Sequence, residues 1–112
     1  MENTKPIIEY ADFEKLDMQV GTIAVAEKVA KSSKLLRLEV DLGAMRRQII
    51  SGIAQKFSPE ELIGKKVLVL VNLKPIKMMG LESCGMILVA GSSIEDLELP
   101  FFDQSAPGAP IS

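Results

Sequence analysis

Asn72-Leu73-Lys74-Pro75-Ile76-Lys77-Met78-Met79-Gly80-Leu81-Glu82-Ser83-Cys84-Gly85 stands between the two most apolar runs of the chain, Val67-Leu68-Val69-Leu70-Val71 and Met86-Ile87-Leu88-Val89-Ala90. The flanking runs read as buried strands, short and rich in β-branched residues. A connection between strands needs turn residues. It does not need Lys74 and Lys77 on either side of Pro75, so this segment is read as the working edge of the protein. The remaining chain is expected to build a small barrel that holds it.

The strand ending in Val71 follows a short helix. Ser58-Pro59-Glu60-Glu61 has a capping serine, a proline at the first helical position and a glutamate where a capping box needs it. Leu62, Ile63 and Gly64 end that helix after about one turn. Before it, Leu36, Leu38, Val40 and Leu42 alternate with Leu35, Arg37, Glu39 and Asp41, the pattern of a half-buried strand. Gly43-Ala44 turns the chain into a return strand, Met45 to Ser51. Met18 to Ala30 reads as a long first strand. Gly21 marks a bulge or bend in it, and both faces are partly apolar. Tyr10 to Asp17 reads as a helical turn capped by Asp12, with Phe13 and Leu16 covering one end of the core. After Gly91 the prolines Pro100, Pro107 and Pro110 break regular structure.

The resulting order is three strands, a short helix and two strands. This is the order of an OB-fold, an all-β, partly open five-stranded Greek-key barrel. Residues 1–11 form an N-terminal tail, and residues 12–112 form the barrel domain with a C-terminal extension from about residue 92. Such barrels bind nucleic acid on the face of strands two and three, flanked by two loops. Here those loops are Lys31–Lys34 and Lys74–Ser83, and both are basic.

Charge is segregated along the chain. Residues 1–30 hold three lysines against six acidic residues. Residues 31–77 hold seven lysines and three arginines against four acids, and residues 78–112 hold five acids and no Lys or Arg. An anion-binding face on an otherwise acidic protein gives this profile, and so does a chance imbalance over a solvated surface. The agreement of basic loops with the barrel order favours the first reading.

What is missing narrows the chemistry. There is no histidine, which removes the commonest general base and the commonest metal ligand. No acid–base constellation, metal cluster, GxGxxG or phosphate loop is present, so no catalytic residue, metal or cofactor is expected. Cys84 is the sole cysteine and reads as a packing residue. No apolar run nears the ~18 residues that span a bilayer, and Met1 to Glu9 is unlike a signal peptide. A cytoplasmic protein is expected.

With Lys74 and Lys77 as point charges suited to phosphates, Asn72, Ser83 and the loop at Lys34 join the candidate site. Ser51-Gly52 ends the third strand on the same face, where glycine allows close approach by a ligand. The same two residues also suit an ordinary turn. Lys31, Arg37, Arg46, Arg47 and Lys56 are weaker candidates, added by charge. Met86 suits contact with a sugar or base, whereas Met78 and Met79 suit packing. Aromatic residues are 4% of the chain, too few to stack successive bases of a single strand. A structured RNA recognised by shape, phosphates and ribose fits better.

Several segments together resemble the tRNA-binding domain found at the C-terminus of many methionyl-tRNA synthetases and as a stand-alone protein. They are Asp12 to Gly21, Lys34-Leu35-Leu36, Val40-Asp41-Leu42-Gly43, Ser51-Gly52-Ile53-Ala54, Pro59 to Lys65, and Asn72-Leu73-Lys74-Pro75 through Ser83, Gly85 and Met86. The resemblance implies an OB-fold, binding of the folded tRNA body with little regard to anticodon, and a homodimer joined outside the barrel. It implies tRNA contacts at Lys34, Asn72, Lys74, Lys77, Ser83 and Met86. No enzyme activity is implied, unless the chain is a detached part of a methionyl-tRNA synthetase, which is also a candidate partner. The family often carries His-Pro-Asn-Ala-Asp before the lysine matching Lys34. Here Val29-Ala30-Lys31-Ser32-Ser33 stands in its place, so the first loop lacks that Asn and Asp while Lys31 adds charge. A secretion-associated chaperone family shares the fold and dimerises. It generally lacks the Lys-Pro-x-Lys and Ser-x-Gly-Met patterns, and it supplies the second reading, a protein-binding dimer.

Overall fold

The computed structural model describes residues 4–112. Its elements run α1 (Tyr10–Phe13), β1 (Met18–Lys28), β2 (Leu36–Asp41), β3 (Arg46–Ser51), α2 (Pro59–Leu62), β4 (Lys66–Leu70), β5 (Ile76–Met78), β6 (Leu81–Ser83), β7 (Met86–Ile87) and β8 (Pro110–Ile111). The main sheet has the order β3-β2-β1-β4-β7, with β8 pairing β1. Cys84 N–H donates to Gln48 O at 2.8 Å, so the segment entering β7 meets β3 and nearly closes the sheet. The five strands β1, β2, β3, β4 and β7, with α2 between the third and fourth, form the expected OB-type barrel.

β1 must be long because it serves two partners. Met18–Thr22 pairs β4, and Thr22–Lys28 pairs β2. A bulge between Ile23 and Val25 switches parity. Gly21 and Ile23 face the core before it and Ala26 faces the core after it, which explains why both faces of the sequence look apolar. Gly21 itself answers to close packing. A Cβ there would overlap Val40 Cγ1 and lie 3.0 Å from Val69 Cγ2. The core is aliphatic: Ile23, Leu36, Leu38, Val40, Ile49, Leu62, Val67 and Val69 are fully buried. α2 caps it with Leu62. The Glu61 carboxylate accepts from Ser58 N–H at 2.8 Å and closes the capping box.

Four expectations need correction. Asp12 is not the cap of α1: Glu9 holds that position, and Asp12 accepts from Glu9 N–H from inside the first turn. Nor are Phe13 and Leu16 a lid: Phe13 is only half-buried, Leu16 is 45% exposed, and neither packs against the core cluster. The strand expected at Met86–Ala90 is regular only over Met86–Ile87, after which Ala90 bridges Glu98. The tail after Gly91 is more ordered than its prolines suggest. Phe101 bridges Val67, Gly108 N–H donates to Val20 O, and Ala109 O accepts from Val20 N–H. Proline lacks a donor but can still lie on a strand edge, and Pro110 does so.

Candidate nucleic-acid interface

The basic segment after β4 is not an irregular loop. Ile76 pairs with Ser83, Lys77 with Glu82 and Met78 with Leu81, forming a two-stranded sheet of its own. Met79 (φ 53°) and Gly80 (φ 78°) make the turn, both left-handed, as a two-residue hairpin with right-twisted strands requires. Glycine adopts that conformation without strain; Met79 does so against its Cβ, and its side chain is 55% exposed at the tip.

β3 fastens this hairpin. Gln48 Nε2 donates to Glu82 O at 2.8 Å. Ile50 N–H donates to Ser83 Oγ at 2.9 Å, and that hydroxyl donates on to Gly85 O at 3.3 Å. The Arg47 guanidinium reaches Val71 O at 3.2 Å and Cys84 O at 3.4 Å, the two points where the insertion leaves and rejoins the barrel. Asn72 holds the entry arm to the N-terminal segment. It accepts from Asp17 N–H at 2.9 Å and donates to Lys15 O at 2.7 Å.

These contacts divide the sequence candidates. Lys31, Lys34, Lys74 and Lys77 are exposed, and none forms an ion pair among the described residues. The Lys31–Lys34 loop turns at Lys31 (φ 65°) around Ser32, whose Oγ accepts from Lys34 and Leu35 N–H. Lys34 O in turn accepts from Ala54 N–H, which seats the loop beside the end of β3. Arg37, by contrast, is held by Glu27 at 2.7 Å, Glu39 at 3.0 Å and Gln48 at 2.9 Å. The hydrogen bond to Glu27 is the main cause that raises the Arg37 pKa above its ordinary value, with partial burial opposing it. Arg46 lies 3.8 Å from Glu39, and Lys56 Nζ donates to Glu95 O at 2.8 Å. On β2–β3, Arg37 and Arg46 are therefore paired with acids while Arg47 is held by carbonyl oxygens, and Lys31, Lys34, Lys74 and Lys77 add unpaired positive charge on the two loops beside those strands.

Ser51, Gly52, Lys74, Ser83 and Met86 line one cleft of about 630 Å³ between the hairpin and the barrel. The rest of its wall is largely apolar, including Ile50, Ile53, Ile76 and Met78. Met86 is 46% exposed there, whereas Ser83 is only 4% exposed. Asn72, Ser83 and Arg47 lie in or against the hairpin segment, with side chains already engaged by the fold. Gln48 was missed by reading the sequence. A glutamine in an outward strand position carries no local signal, and its role depends on a carbonyl 34 positions away.

A family profile described as "Putative tRNA binding domain" matches residues 18–109. The methionine–tRNA ligase of Flavobacterium psychrophilum is 51% identical over 107 residues, which cover 96% of this chain and 15% of that protein. The chain spans between 12% and 16% of the length of such ligases. A methionyl-tRNA-synthetase-related protein from Pyrococcus horikoshii superposes with a TM-score of 0.90 at 38% identity, covering 96% of this chain and all of the other. The chaperone CsaA from Bacillus anthracis superposes with a TM-score of 0.85 at 28% identity, covering 96% and 100%. From barrel topology, basic loops and these matches together, the chain belongs to the tRNA-binding domain family.

Proposed function

We propose that the chain is a non-catalytic tRNA-binding module. It holds the folded tRNA body by neutralising phosphates and fitting its shape, and it assists a methionyl-tRNA synthetase in cis or in trans by raising the local tRNA concentration. The observation that carries this reading is the set of unpaired lysines, Lys31, Lys34, Lys74 and Lys77, on two loops anchored to β3 or its end. Each ammonium is a point charge suited to a phosphate oxygen. Ser83 and Asn72 serve that surface mainly by holding it, and Met86 supplies contact. The module works in the cytoplasm as a homodimer. Exposed Ile7, Ile8 and Tyr10 on the N-terminal segment, with Leu16 after α1, supply apolar surface outside the barrel for a second copy.

The test is a titration with tRNA, a linear RNA of equal length and duplex DNA at rising salt. tRNA binds tightest, with a steep salt dependence. Lys74→Ala with Lys77→Ala weakens binding to many tRNAs alike and lowers the slope of log K against log salt by about 1.5, two phosphates at ~0.7–0.9 each. Unchanged affinity in the double variant overturns the site. The second reading, a chaperone-like protein-binding dimer, is favoured by the superposition on CsaA and by the apolar cleft. In that case an unfolded client binds at all salt concentrations and tRNA does not displace it. Sedimentation decides the dimer.

A further inference from the structure

We infer that the cleft between the β5–β6 hairpin and the barrel receives one unstacked nucleobase of the bound RNA. The inference rests on the tRNA-binding reading and adds a base-sized apolar subsite to a surface otherwise described by charge. Three observations carry it. First, the cleft is walled by Ile50, Ile53, Ile76, Met78 and Met86, yet Lys74 stands in the same wall. An apolar slot bordered by an unpaired ammonium group suits a nucleotide, whose base is flat and weakly polar and whose phosphate is anionic. Second, Met78 and Met86 are flexible and polarisable, so they adapt to either face of a base where no aromatic side chain is present. Third, Gly52 lines the cleft and is exposed, and a Cβ there would meet nothing within 4 Å, so the cleft is open at that position.

A cleft of about 630 Å³ has room for a base with its ribose, within the ~300–1,000 Å³ common for small-ligand sites. A regular duplex has no base to place there. Folded tRNA has loops with splayed bases, and single bases of that kind are what RNA-binding surfaces usually read. The subsite therefore separates folded RNA from a duplex of equal charge, which phosphate contacts alone do not.

The test uses the full chain. Gly52→Phe fills the slot with the protein's own side chain, and Met86→Gln makes its exposed wall polar at nearly constant size. Thermal melting checks that each variant is folded. Binding is measured to tRNA and to an RNA duplex with the same number of phosphates. The expected result is tRNA affinity lowered about tenfold by either variant, the loss of one base contact, with duplex affinity and both salt slopes unchanged. Lys74→Ala with Lys77→Ala weakens both RNAs. If both folded variants keep parental tRNA affinity, the subsite is refuted while the lysine site stands. Equal losses for tRNA and duplex refute it too, since the slot then acts through the phosphate surface. If Gly52→Phe instead abolishes binding of an unfolded apolar peptide and spares tRNA, the cleft belongs to a protein client.

Discussion

Ser83→Ala separates holding the hairpin from touching RNA. The side chain is 4% exposed, and its oxygen is the acceptor for Ile50 N–H at 2.9 Å. Removing that oxygen leaves a buried amide with no partner and removes a donor from Gly85 O. A buried unsatisfied group costs about 1–3 kcal/mol. With an unfolding entropy of ~2.1 cal/mol/K per residue, a chain of 112 residues loses about 4–13 °C in melting temperature. Urea unfolding should show a lower midpoint at an unchanged m value, and hydrogen exchange should show the Ile50 amide opening faster. tRNA affinity should fall modestly, with the salt slope intact, because no charge is removed. If the variant is as stable as its parent within about 0.5 kcal/mol and still loses tRNA affinity, Ser83 contacts the RNA and the latch reasoning fails.

Two further outcomes test the fold beneath the site. Gly21→Ala forces a methyl group against Val40 and Val69, so it should destabilise by about 1–3 kcal/mol in urea unfolding; a neutral result would mean that β1 shifts freely. Glu61→Gln tests the helix cap by pH. The hydrogen bond from Ser58 N–H lowers the Glu61 pKa below its ordinary value of 4.5, so the charged cap stabilises above that value and its contribution fades as pH falls through the lowered one. The stability gap between parent and Glu61→Gln should therefore be full near neutrality and shrink below about pH 4.5, as followed by thermal melts across pH.

Several features were legible because their signals are local. The alternation from Leu36 to Leu42 shows which face of β2 is buried, since side-chain direction in a strand depends only on the pleat. Ser58, Pro59 and Glu61 mark α2 because a capping box closes within four residues. The hairpin escaped notice for the opposite reason. Strands of three residues are too short to establish a period, and the left-handed conformation of Met79 follows from the pairing of Ile76 with Ser83, not from methionine. The covering role assigned to Phe13 and Leu16 failed because a short amphipathic turn does not reveal whether this chain folds a surface beneath it.

The opening stretch illustrates the division. By itself, the sequence determined that two lysines, a proline and two glycines lie between buried strands, that the middle of the chain is basic, and that an aliphatic barrel of OB order encloses the core. Those properties follow from composition and short-range periodicity. Tertiary structure alone decided what each side chain in the segment is available to do. Asn72 is held by Asp17 and Lys15, and Ser83 by Ile50, while Arg37 and Arg46 are neutralised by Glu27 and Glu39. Lys74 and Lys77 remain unpaired among the described residues. The physical reason is that hydrogen bonds and ion pairs are satisfied across space, by partners tens of positions away, and a residue's own neighbours in sequence do not reveal whether its polar atoms are already engaged.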